Sequence, residues 1–457
     1  MRKSLLSFLS SVLIINAYSQ VNIIDTYLNG TPTKTIIASS SNGVLIPRDL
    51  DFHPSRDELW VVLKETENGG GKTALIKQPG KTGQTVLVQK DGNAWHFMSL
   101  PTGIAFSPNK GAPNNTFATS PGVFDANHNG GAPFTGPSLW SSNPLVYAQN
   151  PGAGLNGSHL DMLHESPYSM GICADVDNIF WVNDGYHNTV VRYDFKADHG
   201  PGAAYHGDGV VRQYTGLALV EDPTQHIVSH LILDKTTGWL YIADTGNKRI
   251  VRLNTTTGSK AGNLSGYETP MAEYSNYTGY SSNVFVTSTG ATSSPSGIDF
   301  VGNRLIVSDY ATGNILVYGL GGTTGTLLGT ISTGAAGIMG VKINPTDGKI
   351  WYVNATTNQV VRLNPVSATG ITEEEVVNDI QLYPNPASGS QVTFSGLSQT
   401  LTNIKIYNTV GQLVLETKAN EGNSTIDISK LSRGTYIVQL YNAELNTNTT
   451  KKLIVIK

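Results

Sequence analysis

Cysteine is nearly missing from this chain: Cys173 is the only one among 457 residues, so no intramolecular disulfide can brace the fold. Its neighbours Gly-Ile-Cys-Ala read as a buried strand, which makes the thiol packing material and not a nucleophile. Charge is scarce as well, at 14% of residues against about 25% in ordinary domains. The net charge of −4 comes without any basic cluster, which excludes nucleic acid as a partner. The longest apolar run, Leu5 to Ile15, falls short of the ~20 residues that a membrane-spanning helix needs, so no transmembrane segment is expected. What fills the chain instead is glycine, 49 of them, with Ser, Thr and Asn, the composition of many short strands joined by tight turns.

The first residues have a purpose of their own. Arg2 and Lys3 precede the apolar stretch, and Ala17-Tyr18-Ser19 supplies a small-x-small cleavage site before Gln20. Residues 1–19 therefore read as a secretory signal peptide.

Residues 20–364 carry a repeat, clearest in S-H-L-I-L-D-K-T-T-G-W-L-Y-I-A-D-T-G-N-K-R-I-V-R-L-N from Ser229 to Asn254. It parses as three strands separated by two turns. The same grammar starts at Pro47, Pro101, Pro167, Pro295 and Gly340, which makes six units. One further β-type run precedes each: Thr35–Ala38, Thr85–Val88, Leu145–Tyr147, Val210–Gln213, Val284–Val286 and Leu327–Ile331. Four strands in each of six units predict an all-β, six-bladed β-propeller. No fourth strand follows Val360–Leu363, and Thr35–Ala38 has no unit before it, so pairing the two is expected to close the ring and remove its free edges. Asp244-Thr-Gly-Asn-Lys-Arg-Ile-Val-Arg-Leu, echoed from Asp184, resembles the NHL repeat of six-bladed propellers.

Residues 365–379 lack periodicity, carry three consecutive acids and read as a linker. Residues 380–457 alternate apolar and polar positions between Asn, Gly and Pro, which predicts a small antiparallel β-sandwich. The blocks I-Q-L-Y-P-N-P-A-S-G, I-K-I-Y-N-T-V-G-Q-L-V-L-E, I-D-I-S-K-L-S-R-G-T-Y-I-V-Q-L and K-K-L-I-V-I-K resemble the type A C-terminal sorting domain of the Bacteroidetes type IX secretion system. That resemblance implies the type IX machinery as a partner. It also implies a mature protein, freed of signal peptide and C-terminal domain, that is secreted or attached to the outer-membrane surface.

The loops entering the innermost strands converge on one mouth of a propeller channel. Aligning the units places Arg48, Thr102, Tyr168, His230 and Ser296 there, offering a fixed cation, a phenol and a base near neutral pH. Polar lining of a wet channel is the bland reading of the same residues. Asp184-Gly-Tyr-His-Asn and Ser-His-Leu at His230 resemble segments of the peptidylglycine amidating lyases. That resemblance implies Tyr186 at the catalytic tyrosine and His230 at one of three zinc histidines, although the other unit starts carry no histidine. The recurring Asp184, Asp244 and Asp309 read as turn caps.

Asp125, Asn127 and Asn129 open a D-x-N-x-N-G calcium-type loop, whose twelfth position is Gly136 in place of Glu. His159, Asp161 and His164 form a second metal candidate, so calcium or zinc is the cofactor in question. The inserts Asn109–Asn143 and Leu155–Glu165 exceed ordinary blade turns, and mark the face to search for a partner. The favoured function is binding of an extracellular glycan, peptide or protein. The alternative is an extracellular lyase or lactone hydrolase at the channel mouth, and a purely structural surface protein is the third reading.

Overall fold

The computed structural model describes residues 22–110, 114–149, 156–265, 271–366, 380–397, 402–409, 411–419, 422–442 and 447–457. The signal peptide and nearly all of the linker lie outside the described residues. The chain divides into two compact units, Met1–Val366 and Ser367–Lys457.

In the first unit, six sheets form a ring. The first runs outward from Pro47–Phe52 through Glu58–Lys64 and Gly71–Lys77 to Thr85–Gln89. The other innermost strands are Pro101–Phe106, Ser169–Ala174, Leu231–Asp234, Pro295–Val301 and Ile338–Ile343. Each innermost strand touches that of the next sheet, and the sixth touches the first. The reason is the period of 2 along a strand. In Glu58–Lys64, Leu59 and Val61 face the sixth sheet's Trp351 and Val353, whereas Trp60 and Val62 face the second sheet's Phe117 and Trp140. One such apolar cluster fills each of the six junctions between neighbouring sheets.

The ring closes as the sequence implies. Thr33–Ser39 forms the outermost strand of the sixth sheet, with Thr35 opposite Arg362, Ile36 opposite Val361 and Ala38 opposite Val360. A short 3-10 helix at Ile23–Leu28 seals the junction. Its buried Tyr27 hydroxyl donates to the Leu363 carbonyl at 3.1 Å, and Asp25 receives Arg304 at 2.6 and 2.8 Å.

Two expectations are corrected. Leu145–Tyr147 is a turn, and the outer strand of the second sheet is the two-residue Asp161–Met162. Leu145 is 84% exposed while Tyr147 is buried, so the segment contributes one anchoring ring and no ladder. In addition, a hairpin of Ser259–Asn263 and Glu273–Thr278 extends the third sheet to six strands, its second strand parallel to Val210–Tyr214. Arg212 locks that junction with a fork onto Glu273, at 3.0 and 2.7 Å.

The second unit packs a three-stranded sheet (Gln381–Tyr383, Gln391–Leu397, Gly422–Asp427) with a four-stranded one. The latter orders Leu413–Ala419, Thr402–Asn408, Gly434–Asn442 and Thr447–Val455. Val392, Phe394, Ile404, Ile406, Val438 and Leu453 from both sheets form its core.

Candidate functional site

Innermost strands alternate between a blade junction and the ring axis. Leu50 faces a junction, so Asp49 and Asp51 on either side of it face the axis, as Asp299 and Lys342 do from the fifth and sixth sheets. The carboxylates satisfy free N–H groups of the neighbouring innermost strand: Ile104 N to Asp49 at 2.9 Å, Phe106 N to Asp51 at 2.8 Å and Ile343 N to Asp299 at 2.7 Å. Burial raises Asp49 to about 7 and Asp299 to about 6, and raises Asp51 as well, with Lys342 opposing in each case. Burial alone would depress Lys342, but Asp51, Asp299 and Asp49 outweigh it and hold its ammonium charged. His230 completes this layer with Nε2 3.6 Å from Asp49 Oδ1, and burial lowers it to about 3. Glycines make the crowding tolerable: a Cβ on Gly340 would stand 2.3 Å from Asp49 Oδ1, and one on Gly171 2.8 Å from His230 Cα.

Arg48 precedes Asp49 in the innermost strand of the first sheet, at its register skip. It is 1% exposed, and none of its three guanidinium nitrogens has a hydrogen-bond partner among the described residues. Burial lowers it to about 10, opposed by Tyr310 and Asp222. His226, whose Nε2 lies 2.9 Å from the Tyr310 hydroxyl, is lowered below the usual histidine range by burial first and by Arg48 and Lys64 next. Asp222 shapes the loop that carries His226 by accepting from His226 N at 3.0 Å and Ile227 N at 3.2 Å. Glu221 beside it is raised to about 7 by burial, and its Oε2 has no partner among the described residues. A groove of about 420 Å³ is lined by Leu45, Ile46, Leu63 and Lys64, among others, with Leu45 half-exposed.

The residues singled out by sequence divide. Arg48 and His230 do come together, since Arg48 is among the charges that depress the buried His230 ring. Thr102 and Ser296 are latches between blades: Thr102 donates to the Ser169 carbonyl at 2.6 Å and Ser296 to the Ile338 carbonyl at 2.9 Å. Tyr168 is not equivalent to Arg48 and Thr102. The strand registers skip between Pro47 and Asp49, between Pro101 and Gly103, and between Ser169 and Gly171, so Met170 is the matching residue. Tyr168 instead sits before the strand at φ 54°, and its ring lies 5.6 Å from Phe124. Tyr186, 45% exposed, packs on the same Phe124 at 5.3 Å. Sequence reasoning missed Asp49, Asp51, Asp299 and Lys342, although charged residues in the middle of D-L-D-F, G-I-D-F and G-V-K-I were the signal. It also missed His226, Tyr310 and Glu221.

Asp184 and Asp309 cap turns: Asp184 Oδ1 accepts from Tyr186 N and His187 N, and Asp309 Oδ1 from Ala311 N and Ser294 N, whereas Asp244 accepts from Val220 N and from the Asn247 and Arg249 side chains. Asp125 does the same, accepting from Asn127 N, Asn129 N and Gly131 N, and Asn129 Oδ1 accepts from Gly131 N as well. His159 stacks on Phe97 at 3.6 Å and His164 on Phe134 at 3.7 Å. Asp161 gathers with His199 and Asp208.

Residues 381–457 match the secretion system C-terminal sorting domain. The protein is thereby an export client of the type IX machinery, secreted or attached to the cell surface. Among the described residues no helix is long and apolar enough to cross a membrane. Over 107 residues, 23% of this chain, it is 30% identical to beta-agarase A of Zobellia galactanivorans, of which the match covers 18%. Similar solved structures include PorZ, a surface component of the type IX secretion system of Porphyromonas gingivalis, at 14% identity and TM-score 0.36 over 90% of this chain and 60% of that one. An auxiliary nutrient binding protein from Bacteroides ovatus aligns at 13% identity and TM-score 0.44, over 73% of this chain and 77% of that one. The chain spans less than two thirds of both the agarase and PorZ.

Proposed function

We propose that this is an NHL-type propeller which, once outside the cell, binds a glycan, peptide or protein at the channel mouth through an anionic group of that ligand. In this reading residues 1–19 are a signal peptide, 20–364 the binding propeller, 365–379 a linker and 380–457 the sorting domain. The observation that carries it is the buried guanidinium of Arg48, which has no hydrogen-bond partner among the described residues. A buried charge is ordinarily paired, because leaving it unpaired costs several kcal/mol. A carboxylate or sulfate on an incoming ligand supplies the missing acceptors in a planar, two-pronged geometry. His226 and Tyr310 add hydrogen-bonding groups beside it, and the groove over Leu45 and Ile46 gives the rest of the ligand an apolar floor.

The lyase reading asks for further imidazoles around His230. At the level of His230 the neighbouring innermost strands present Asp49, Gly103, Gly171 and Gly340.

The test is an array of neutral, uronate-bearing and sulfated oligosaccharides together with acidic peptides, probed with wild type and Arg48→Met. The expected result is retention confined to anionic probes and weakened at least about tenfold in the variant, as loss of a charged hydrogen-bonding partner predicts. Equal retention by both proteins would overturn the assignment.

A further inference from the structure

A second site lies away from the channel, where the outer strand of the second sheet meets the loop between Thr189–Asp194 and Val210–Tyr214. Asp161, in that two-residue strand, has a fully buried side chain. Its Oδ1 accepts from Met162 N at 2.7 Å and lies 2.6 Å from His206 Nδ1. Its Oδ2 is buried without a hydrogen-bond partner among the described residues, and His199 Nε2 stands 4.0 Å away. The same nitrogen lies 2.7 Å from Asp208 Oδ1. One ligand atom each from Asp161, His199 and Asp208 thus falls within 4.8 Å of the others.

We propose that Asp161, His199 and Asp208 form a zinc site that ties the loop to the second sheet. A tetrahedral zinc with N and O ligands at about 2.0–2.2 Å places those atoms roughly 3.4 Å apart, between the two separations seen here. Two carboxylates balance the charge of a divalent cation, so the site is neutral when filled. An imidazole in the set disfavours calcium and magnesium, which take oxygen ligands. The orphan Oδ2 is the independent pointer: a buried carboxylate oxygen with nothing to accept from is costly, and a cation removes that cost. His206 holds the other oxygen of Asp161 and so fixes which one faces the metal. Three protein ligands leave a fourth position for water. The cation bridges two neighbouring blades on their outer side, apart from Arg48 and independent of any ligand there.

The test uses the untagged full-length protein, stripped with a chelator, dialysed and titrated with zinc chloride in a calorimeter, with calcium chloride as control. Thermal unfolding is recorded before and after. We expect one zinc per chain, a raised Tm with zinc and none with calcium. His199→Gln and Asp208→Asn alter part-exposed groups; they should keep the metal-free Tm of wild type while each loosens zinc at least about tenfold. Asp161→Asn should abolish binding, and if it fails to fold the two outer variants decide alone. Absence of saturable zinc binding in the wild type, or wild-type affinity in both outer variants, would overturn the proposal.

Discussion

Across the ring axis, His230 Nε2 stands 3.6 Å from Asp49 Oδ1, joining the innermost strands of the fourth and first sheets. Burial drives both toward their uncharged forms, Asp49 to about 7 and His230 to about 3. In mildly acidic solution the contact is therefore between neutral groups, and the charge of the layer that persists is the Lys342 ammonium.

That layer gives the fold a pH signature. Asp49 is raised from 3.8 to about 7, so its contribution to stability is present below about 4 and is lost as pH rises toward 7. Asp49→Asn removes this loss. The difference in unfolding free energy, variant minus wild type, should grow between pH 4.5 and 6.5 by up to about 1.4 kcal/mol per pH unit. His230 acts with the opposite sign: its neutral form is favoured, so stability is lost as pH falls from 6.5 toward 3, and His230→Gln should flatten that acidic limb. Urea titrations at several pH values measure both, and parallel curves for wild type and variants would contradict the assignment.

The closing strand makes a prediction with an internal control. Ile37 is 5% exposed and packs in the junction with Leu50 and Trp351, whereas its neighbour Ile36 is 57% exposed. Ile37→Ala should cost about 2–4 kcal/mol of unfolding free energy and Ile36→Ala about 0.5 or less. Equal effects would mean that the strand does not pack in the register described.

Delivery from the envelope to the cell surface should depend on the second unit. A chain ending at Val366 retains the whole first unit and should fold, yet be held inside the envelope and not reach the surface. Fractionation and protease shaving of intact cells read this out. Surface delivery of the shortened chain would remove the sorting role from residues 381–457.

Much of the architecture was legible because propeller strands announce themselves by alternation and by Gly, Asn and Asp at their ends. The strand before the first unit and the gap after Val360–Leu363 were enough to infer the closure. Leu145–Tyr147 misled because three β-formers in a row read alike whether they pair or bury a single ring in a turn. The hairpin Ser259–Asn263 and Glu273–Thr278 escaped because its residues are mostly half-exposed polar ones with no apolar stripe. Tyr168 was placed on a level with Arg48 because alignment counts residues, and the bulge that begins these strands is a feature of pairing. The site suffered for the same reason. Arg48 and His230 stood at visible unit starts, while His226 and Tyr310 meet only because loops of the fourth and fifth sheets lean over the same mouth.

In the proposed binding mode Arg48 is a cation whose counter-charge arrives from outside, and ligand-free unfolding of Arg48→Met tests this most directly. If the guanidinium is partnerless, replacing it with an apolar side chain of similar length should leave stability unchanged or raise it by about 1–4 kcal/mol. A loss of about 3 kcal/mol or more would show that Arg48 is paired within the chain and holds the ring together instead of waiting for a ligand.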